Sequence, residues 1–291
     1  MTETVDVAEE LVTIEGENPA DPAVSLGLDQ VASAVVAILA GVLLGFGAHA
    51  GQLPLLVTVA VVQAALIGSW VCSTGLPGRI GAIVIAAMAA GAADTVVSVF
   101  PHGQLGALLP VLGLALPVMF IHQLTRGVVR NRVVESLSDI AVLVVAVVAL
   151  ASLIQLRHEL LGDKTSFAVV MAMTGALVVG RLIDLVAPVP HFDPEVPRGL
   201  LAVLGSAIVA GLLGQLVLGG ELEYTSGRAV FLGAAIGIVV ALLAVGAGFI
   251  QQATSLPSTP RAVRLRPVAD TLLPLGLAAP VAYLLCLAIH A

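Results

Sequence analysis

The chain has 291 residues, of which 59% are hydrophobic and 11% charged, and its formal net charge is −7. A soluble domain carries about 25% charged residues and leaves about a quarter of its unfolded surface exposed, so no soluble fold of this length hides so much apolar side chain. Without a basic patch, a nucleic-acid partner is excluded as well.

Residues 1–29 hold eight acids (Glu3, Asp6, Glu9, Glu10, Glu15, Glu17, Asp21 and Asp29) and no base, which leaves 12 bases and 11 acids for the rest. Residues 1–27 read as a disordered acidic tail. Residues 28–291 read as a single transmembrane helical domain. No basic n-region is present, so no signal peptide is expected. Arg outnumbers Lys 11 to 1, a bias that GC-rich coding produces without any chemical cause.

A membrane-spanning helix needs about 20 mostly apolar residues. In chain order the candidates are 29–48, 53–72, 80–100, 104–122, 139–156, 165–186, 199–219, 229–250 and 270–289. Runs such as Ala141–Leu150 do not alternate, so they are helices rather than barrel strands. The expected fold is all-α and polytopic, with nine transmembrane helices. Gly41 and Gly45 in the first span, and Gly233 and Gly237 in the eighth, each put a groove on one helix face for close packing.

Ionisable groups at membrane depth are costly and so draw attention. Asp94 lies late in the third span, and His122 ends the fourth. Arg181 and Asp184 are three apart near the end of the sixth, on one face, and are able to pair. Cys72 and Cys286 fall in or beside apolar runs, which argues against a disulfide or a thiolate metal site.

Nine bases fall on the N-tail side of the spans and three (Arg157, Lys164 and Arg228) on the other. The expected setting is a cell membrane, with the N-terminus cytoplasmic and the C-terminus outside. Two loops on the N-tail side stand out. Val186–Arg198 holds four prolines, so it is a stiff, non-helical connection offering His191, Asp193, Glu195 and Arg198. Gln251–Ala269 holds three arginines and no acid, which suits an anionic lipid headgroup or leaflet surface. No Walker loop, GxGxxG, HExxH or GxSxG motif occurs.

Three stretches in the second half carry a family resemblance. Met173–Arg181 reads MTGALVVGR, Gly233–Gln252 reads GAAIGIVVALLAVGAGFIQQ, and Asp270–Leu285 reads DTLLPLGLAAPVAYLL. Together they resemble the phosphatidate cytidylyltransferase (CDP-diacylglycerol synthase) family over roughly residues 165–291. Thr174, Ala176, Gly180, Arg181, Gly246, Asp270, Leu272, Leu273, Ala279, Pro280 and Tyr283 match its landmarks. The family's acids fall instead on Met173, Ala247, Ile250 and Pro267. Its Tyr falls on Leu177, and the Arg of its closing signature on Val268. In place of its lysine-rich loop stands Asp193–Gly199. The resemblance implies a polytopic helical frame whose chemistry lies in the loops after the sixth and eighth spans. It also implies divalent-metal-dependent transfer from CTP to a phosphatidic acid.

Met173, Ala247 and Ile250 cannot hold a hard cation. The expectation is therefore a degenerate, non-catalytic relative with no metal and no cofactor, binding membrane lipid or supporting a membrane assembly. Arg181, Arg198 and Arg264 are the expected headgroup contacts. Asp184, His191, Asp193, Glu195 and Asp270 are a remnant site, with Asp270 also suited to cap the last helix. Partners are membrane lipids, with room for a homodimer or another membrane protein. One alternative is an active, Mg-dependent cytidylyltransferase-like enzyme using His191, Asp193, Glu195 and Asp270. The other is a small-molecule or lipid transporter using Asp94 and the Arg181–Asp184 pair.

Overall fold

The computed structural model describes residues 22–76, 78–100, 105–125, 133–158, 162–187, 190–193, 196–221, 224–254 and 260–290. The acidic run through residue 21 lies outside them. The helices are α1 Pro22–Ala50, α2 Gln52–Thr74, α3 Arg79–Val99, α4 Leu109–Thr125, α5 Val133–Leu150 and α6 Ser152–Leu156. They continue as α7 Gly162–Val186, α8 Leu200–Leu218, α9 Ser226–Thr254 and α10 Pro260–His290. A 3-10 turn at Leu105–Leu108 leads into α4, and α5 and α6 together make one span. Among the described residues, nine stretches are long and apolar enough to cross a membrane, from Gly27–Ala50 to Val263–Ile289. All nine fall where hydropathy placed them. The structure is an all-α, multi-pass membrane architecture.

Three boundaries move. Residues 22–27 of the expected tail already belong to α1. The fifth span begins at Val133 rather than at 139, and the last helix opens at Pro260, ten residues before Asp270. The shared cause is that a helix does not stop where its apolar stretch does. Backbone hydrogen bonding carries it on into the headgroup layer, past Glu135 and Asp139 in one case and past the arginines in the other. Pro22 and Pro260 each open a helix, where the missing N–H costs nothing. Asp270 is thus interior to α10, which overturns its reading as a cap.

α10 is the central helix, packed against α1, α2, α5 and α9 despite Pro267, Pro274 and Pro280 inside it. Neighbouring helices make intramembrane prolines tolerable. The closest pairing is α8 on α9. A Cβ on Gly233 would stand 2.1 Å from the Ala210 carbonyl, and one on Gly237 2.6 Å from that of Ser206. Gly41 likewise admits Thr174 of α7, whose Oγ1 would lie 2.7 Å from an added Cβ. The Gly233–Gly237 pair is therefore a site of backbone approach, where dispersion replaces the hydrophobic drive that lipid does not supply, whereas Gly41 and Gly45 face the Thr174 and Phe167 side chains.

The loop after α7 forms a short antiparallel hairpin, β1 His191–Asp193 with β2 Val196–Gly199, pairing His191 with Gly199 and Asp193 with Val196. Its end feeds straight into α8. Cys72 and Cys286 are both free thiols.

Candidate functional site

At the face where α1 begins, four pieces of chain converge: the start of α1, the end of α7, β2 with the start of α8, and the first turns of α10. Arg181 of α7 lies at their centre and is 3% exposed. Its Nη1 donates to Gln30 Oε1 of α1 at 3.3 Å, and its Nη2 to the Asp270 carbonyl of α10 at 3.0 Å. Both acceptors are neutral, and among the described residues no carboxylate bonds this guanidinium. Its Nε has no partner. This buried cation is hydrogen-bonded only by neutral acceptors, and Asp270, Asp184 and Asp29 offset its charge through space without bonding it.

Arg198 of β2, also buried, faces the same cluster. Burial lowers its pKa to about 9, and the like charge of Arg181 pushes the same way, against Asp270 and Asp184. It remains cationic at neutral pH. Asp184 lies one turn beyond Arg181 and accepts the Gly199 N–H at 2.9 Å, at the N-terminus of α8. Gly199 offers α8 no side-chain cap, so the Asp184 carboxylate takes that role from another helix. Asp29 of α1 feels Arg266, Asp270 and Arg181. Thr271 Oγ1 donates to the Pro267 carbonyl of its own helix at 2.8 Å, with the Ser33 carbonyl of α1 a second acceptor at 3.2 Å. Among the described residues, the cluster sets three guanidinium groups (Arg181, Arg198 and Arg266) against three carboxylates (Asp29, Asp184 and Asp270).

A void of about 20 Å³ opens onto this cluster between α7, α8 and α9, lined by Gly180, Arg181, Asp184, Arg198 and Ser206 among others. That is room for about one water-sized guest. Along the membrane, α1 and α7 enclose a second, apolar groove of about 420 Å³, lined by Gly41, Gly45, Phe46, Phe167 and Thr174 among others. Glycine at two positions of α1 is what keeps this seam open.

Of the expected site residues, Arg181, Arg198, Asp184 and Asp270 are brought together. Arg264 is not among them, for its side chain is exposed at the start of α10. Arg266 stands in the cluster instead. His191 and Asp193 lie on β1, but their side chains, and all of Glu195, fall outside the described residues. Asp29, Gln30 and Arg266 escaped the sequence reading. Arg266 and Asp270 are four apart, a helix-face pairing visible only once that segment is known to be helical. Among the described residues, no three His, Cys, Asp or Glu side chains are grouped as metal ligands. Met173 and Ala247 are buried in the core and Ile250 is half-buried.

Asp94 belongs to a separate network. Gln63 Nε2 of α2 donates to Asp94 Oδ1 of α3 and to the Val147 carbonyl of α5, both at 3.0 Å. The Val147 carbonyl is available because the helix breaks there: the Ala151 N–H turns to Val148 instead, at 3.1 Å. His122 packs its ring against Gly81, at the start of α3.

These nine spans and their internal packing define a multi-pass α-helical membrane protein. No family model matches the chain, and neither a curated protein nor a solved structure matches it.

Proposed function

We propose that this is a non-catalytic phospholipid-binding membrane protein built on a frame like that of the phosphatidate cytidylyltransferases. In this reading Arg181 and Arg198 draw the phosphate of a lipid headgroup to the mouth of the water-sized void they line, and the groove between α1 and α7 takes apolar chain. The observation that carries it is Arg181: a buried guanidinium bonded only to neutral acceptors, with Nε free, beside a second buried arginine. The cluster sits at the end of the spans, at headgroup level, and the excess of arginine on that side favours the cytoplasmic leaflet of a cell membrane. Catalysis is not part of this reading, because cytidylyl transfer needs metal held by carboxylates. Met173, Ala247 and Ile250 supply none, and the Asp184 carboxylate is taken by the Gly199 N–H.

Incubation of the purified protein with phosphatidic acid, labelled CTP and Mg2+ is expected to yield no labelled CDP-lipid. Metal-dependent product that disappears in Asp270→Asn would replace this reading with a remodelled enzyme.

A further inference from the structure

Three prolines lie inside α10, and each deletes one N–H from the helical ladder. In an unbroken helix the N–H of residue 274 serves the carbonyl four residues back, which is that of Asp270. Residue 274 is a buried proline, so this interior carbonyl lacks its regular donor. The proline ring also crowds the carbonyl and pushes it away from the helix axis. A carbonyl freed inside a span is costly unless a neighbouring helix serves it. Arg181 of α7 does so, for its Nη2 donates to the Asp270 oxygen at 3.0 Å. The other arm of the fork, Nη1, donates to Gln30 Oε1 of α1 at 3.3 Å. Two neutral acceptors on two helices thus fix the plane of the guanidinium beside the void that it lines. Neither adds negative charge of its own.

We propose that Pro274 is a positioning residue of the headgroup site: by removing one N–H from α10, it turns the Asp270 carbonyl into the anchor that holds Arg181. This rests on the headgroup reading above and extends it to a residue that offers a lipid no donor. Pro274→Ala returns the N–H, so the carbonyl goes back to its own helix and Arg181 loses one of its two anchors. A proline in a helix interior is unfavourable relative to alanine, so the same change is not expected to lower stability. Positioning and packing therefore predict different results.

The test uses the full-length chain, stripped of lipid in detergent and titrated with phosphatidic acid. Bound lipid is read by native mass spectrometry, and the unfolding midpoint by the fluorescence of Trp70, the single tryptophan. Pro274→Ala is expected to bind phosphatidic acid roughly tenfold more weakly than the wild type, the scale of one charge-assisted hydrogen bond, with an equal or higher midpoint. Pro280→Ala is the control. Its freed carbonyl belongs to Gly276, which lies against Ala146 of α5, so it is expected to bind as the wild type does. Arg181→Met is expected to lower the midpoint less in the Pro274→Ala background than alone, because the Asp270 carbonyl no longer depends on it. Wild-type binding by Pro274→Ala, an equal loss in both proline variants, or a lower midpoint in Pro274→Ala overturns the positioning role. Undiminished binding in Arg181→Met strikes the headgroup reading instead. The midpoints then decide the anchor alone, and equal losses from Arg181→Met in both backgrounds overturn it.

Discussion

Replacing Arg181 with methionine is expected to weaken phospholipid retention roughly 10- to 100-fold, because hydrogen bonds to a charged group contribute about 1.5–3 kcal/mol and each 1.4 kcal/mol is a factor of ten. Methionine keeps much of the volume and removes the charge and every donor. The same change strips Gln30 Oε1 and the Asp270 carbonyl of their bonds. It also leaves the three carboxylates one cation short. Stability is therefore expected to fall by about 1–3 kcal/mol, read as a lower unfolding midpoint in detergent. Arg181→Lys separates the two effects. It keeps the charge but not the planar fork, so it is expected to restore most of the stability and only part of the lipid retention. If Arg181→Met unfolds at a lower temperature yet retains lipid as the wild type does, the arginine is a clamp between helices and not a receptor for a headgroup.

Gln63→Leu is the second substitution with a large expected effect, on stability alone. It removes one side chain and abandons two acceptors inside the membrane, Asp94 Oδ1 and the Val147 carbonyl. A loss of about 1–3 kcal/mol is expected, below the sum of two buried bonds in water because the unfolded chain in lipid also finds partners. Trp70, the single tryptophan, is fully buried on the same helix and reports the transition by fluorescence. Adding Asp94→Leu removes the abandoned carboxyl, so the double variant is expected to be more stable than the sum of the two single losses. The coupling should be at least about 0.5 kcal/mol. Simple additivity would mean that Gln63 does not support Asp94. This network favours Asp94 as a structural group that holds the Gln63 amide against the helix break, and it explains why a carboxyl is tolerated at that depth.

Legibility in the sequence followed the physics of each feature. All nine spans could be read because the bilayer imposes one rule, about 20 apolar residues, on every crossing. The glycine pairs were readable for a similar reason, since spacing of four on a helix defines a face. What escaped depends on backbone hydrogen bonding that continues beyond the apolar stretch. The arginines and prolines of Gln251–Ala269 look like a loop, so Asp270 was placed at a helix start and Arg266 in a connection. Once the segment is helical from Pro260, Arg266 and Asp270 share a face and meet Asp29 across α1. Arg264, two residues from Arg266, points elsewhere for the same geometric reason. The break at Ala151 left no trace at all, because Val147–Leu150 is as apolar as any continuous helix.

The Arg181–Asp184 pair illustrates a finer limit. Spacing of three correctly put both residues at one place, but not what each would hold. Asp184 is drawn to the Gly199 N–H, an uncapped helix end brought near by the hairpin. Arg181 is left to neutral acceptors on α1 and α10. Long-range neighbours decide such choices, and none of them is adjacent in the chain.

The decisive measurement is native mass spectrometry of the wild-type protein released gently from its membrane, before any lipid is stripped. A phospholipid that stays bound at activation energies that remove bulk detergent, and that is lost from Arg181→Met, is the predicted result. A bare protein, or one that carries cytidine nucleotide with a divalent ion in place of lipid, would contradict the account.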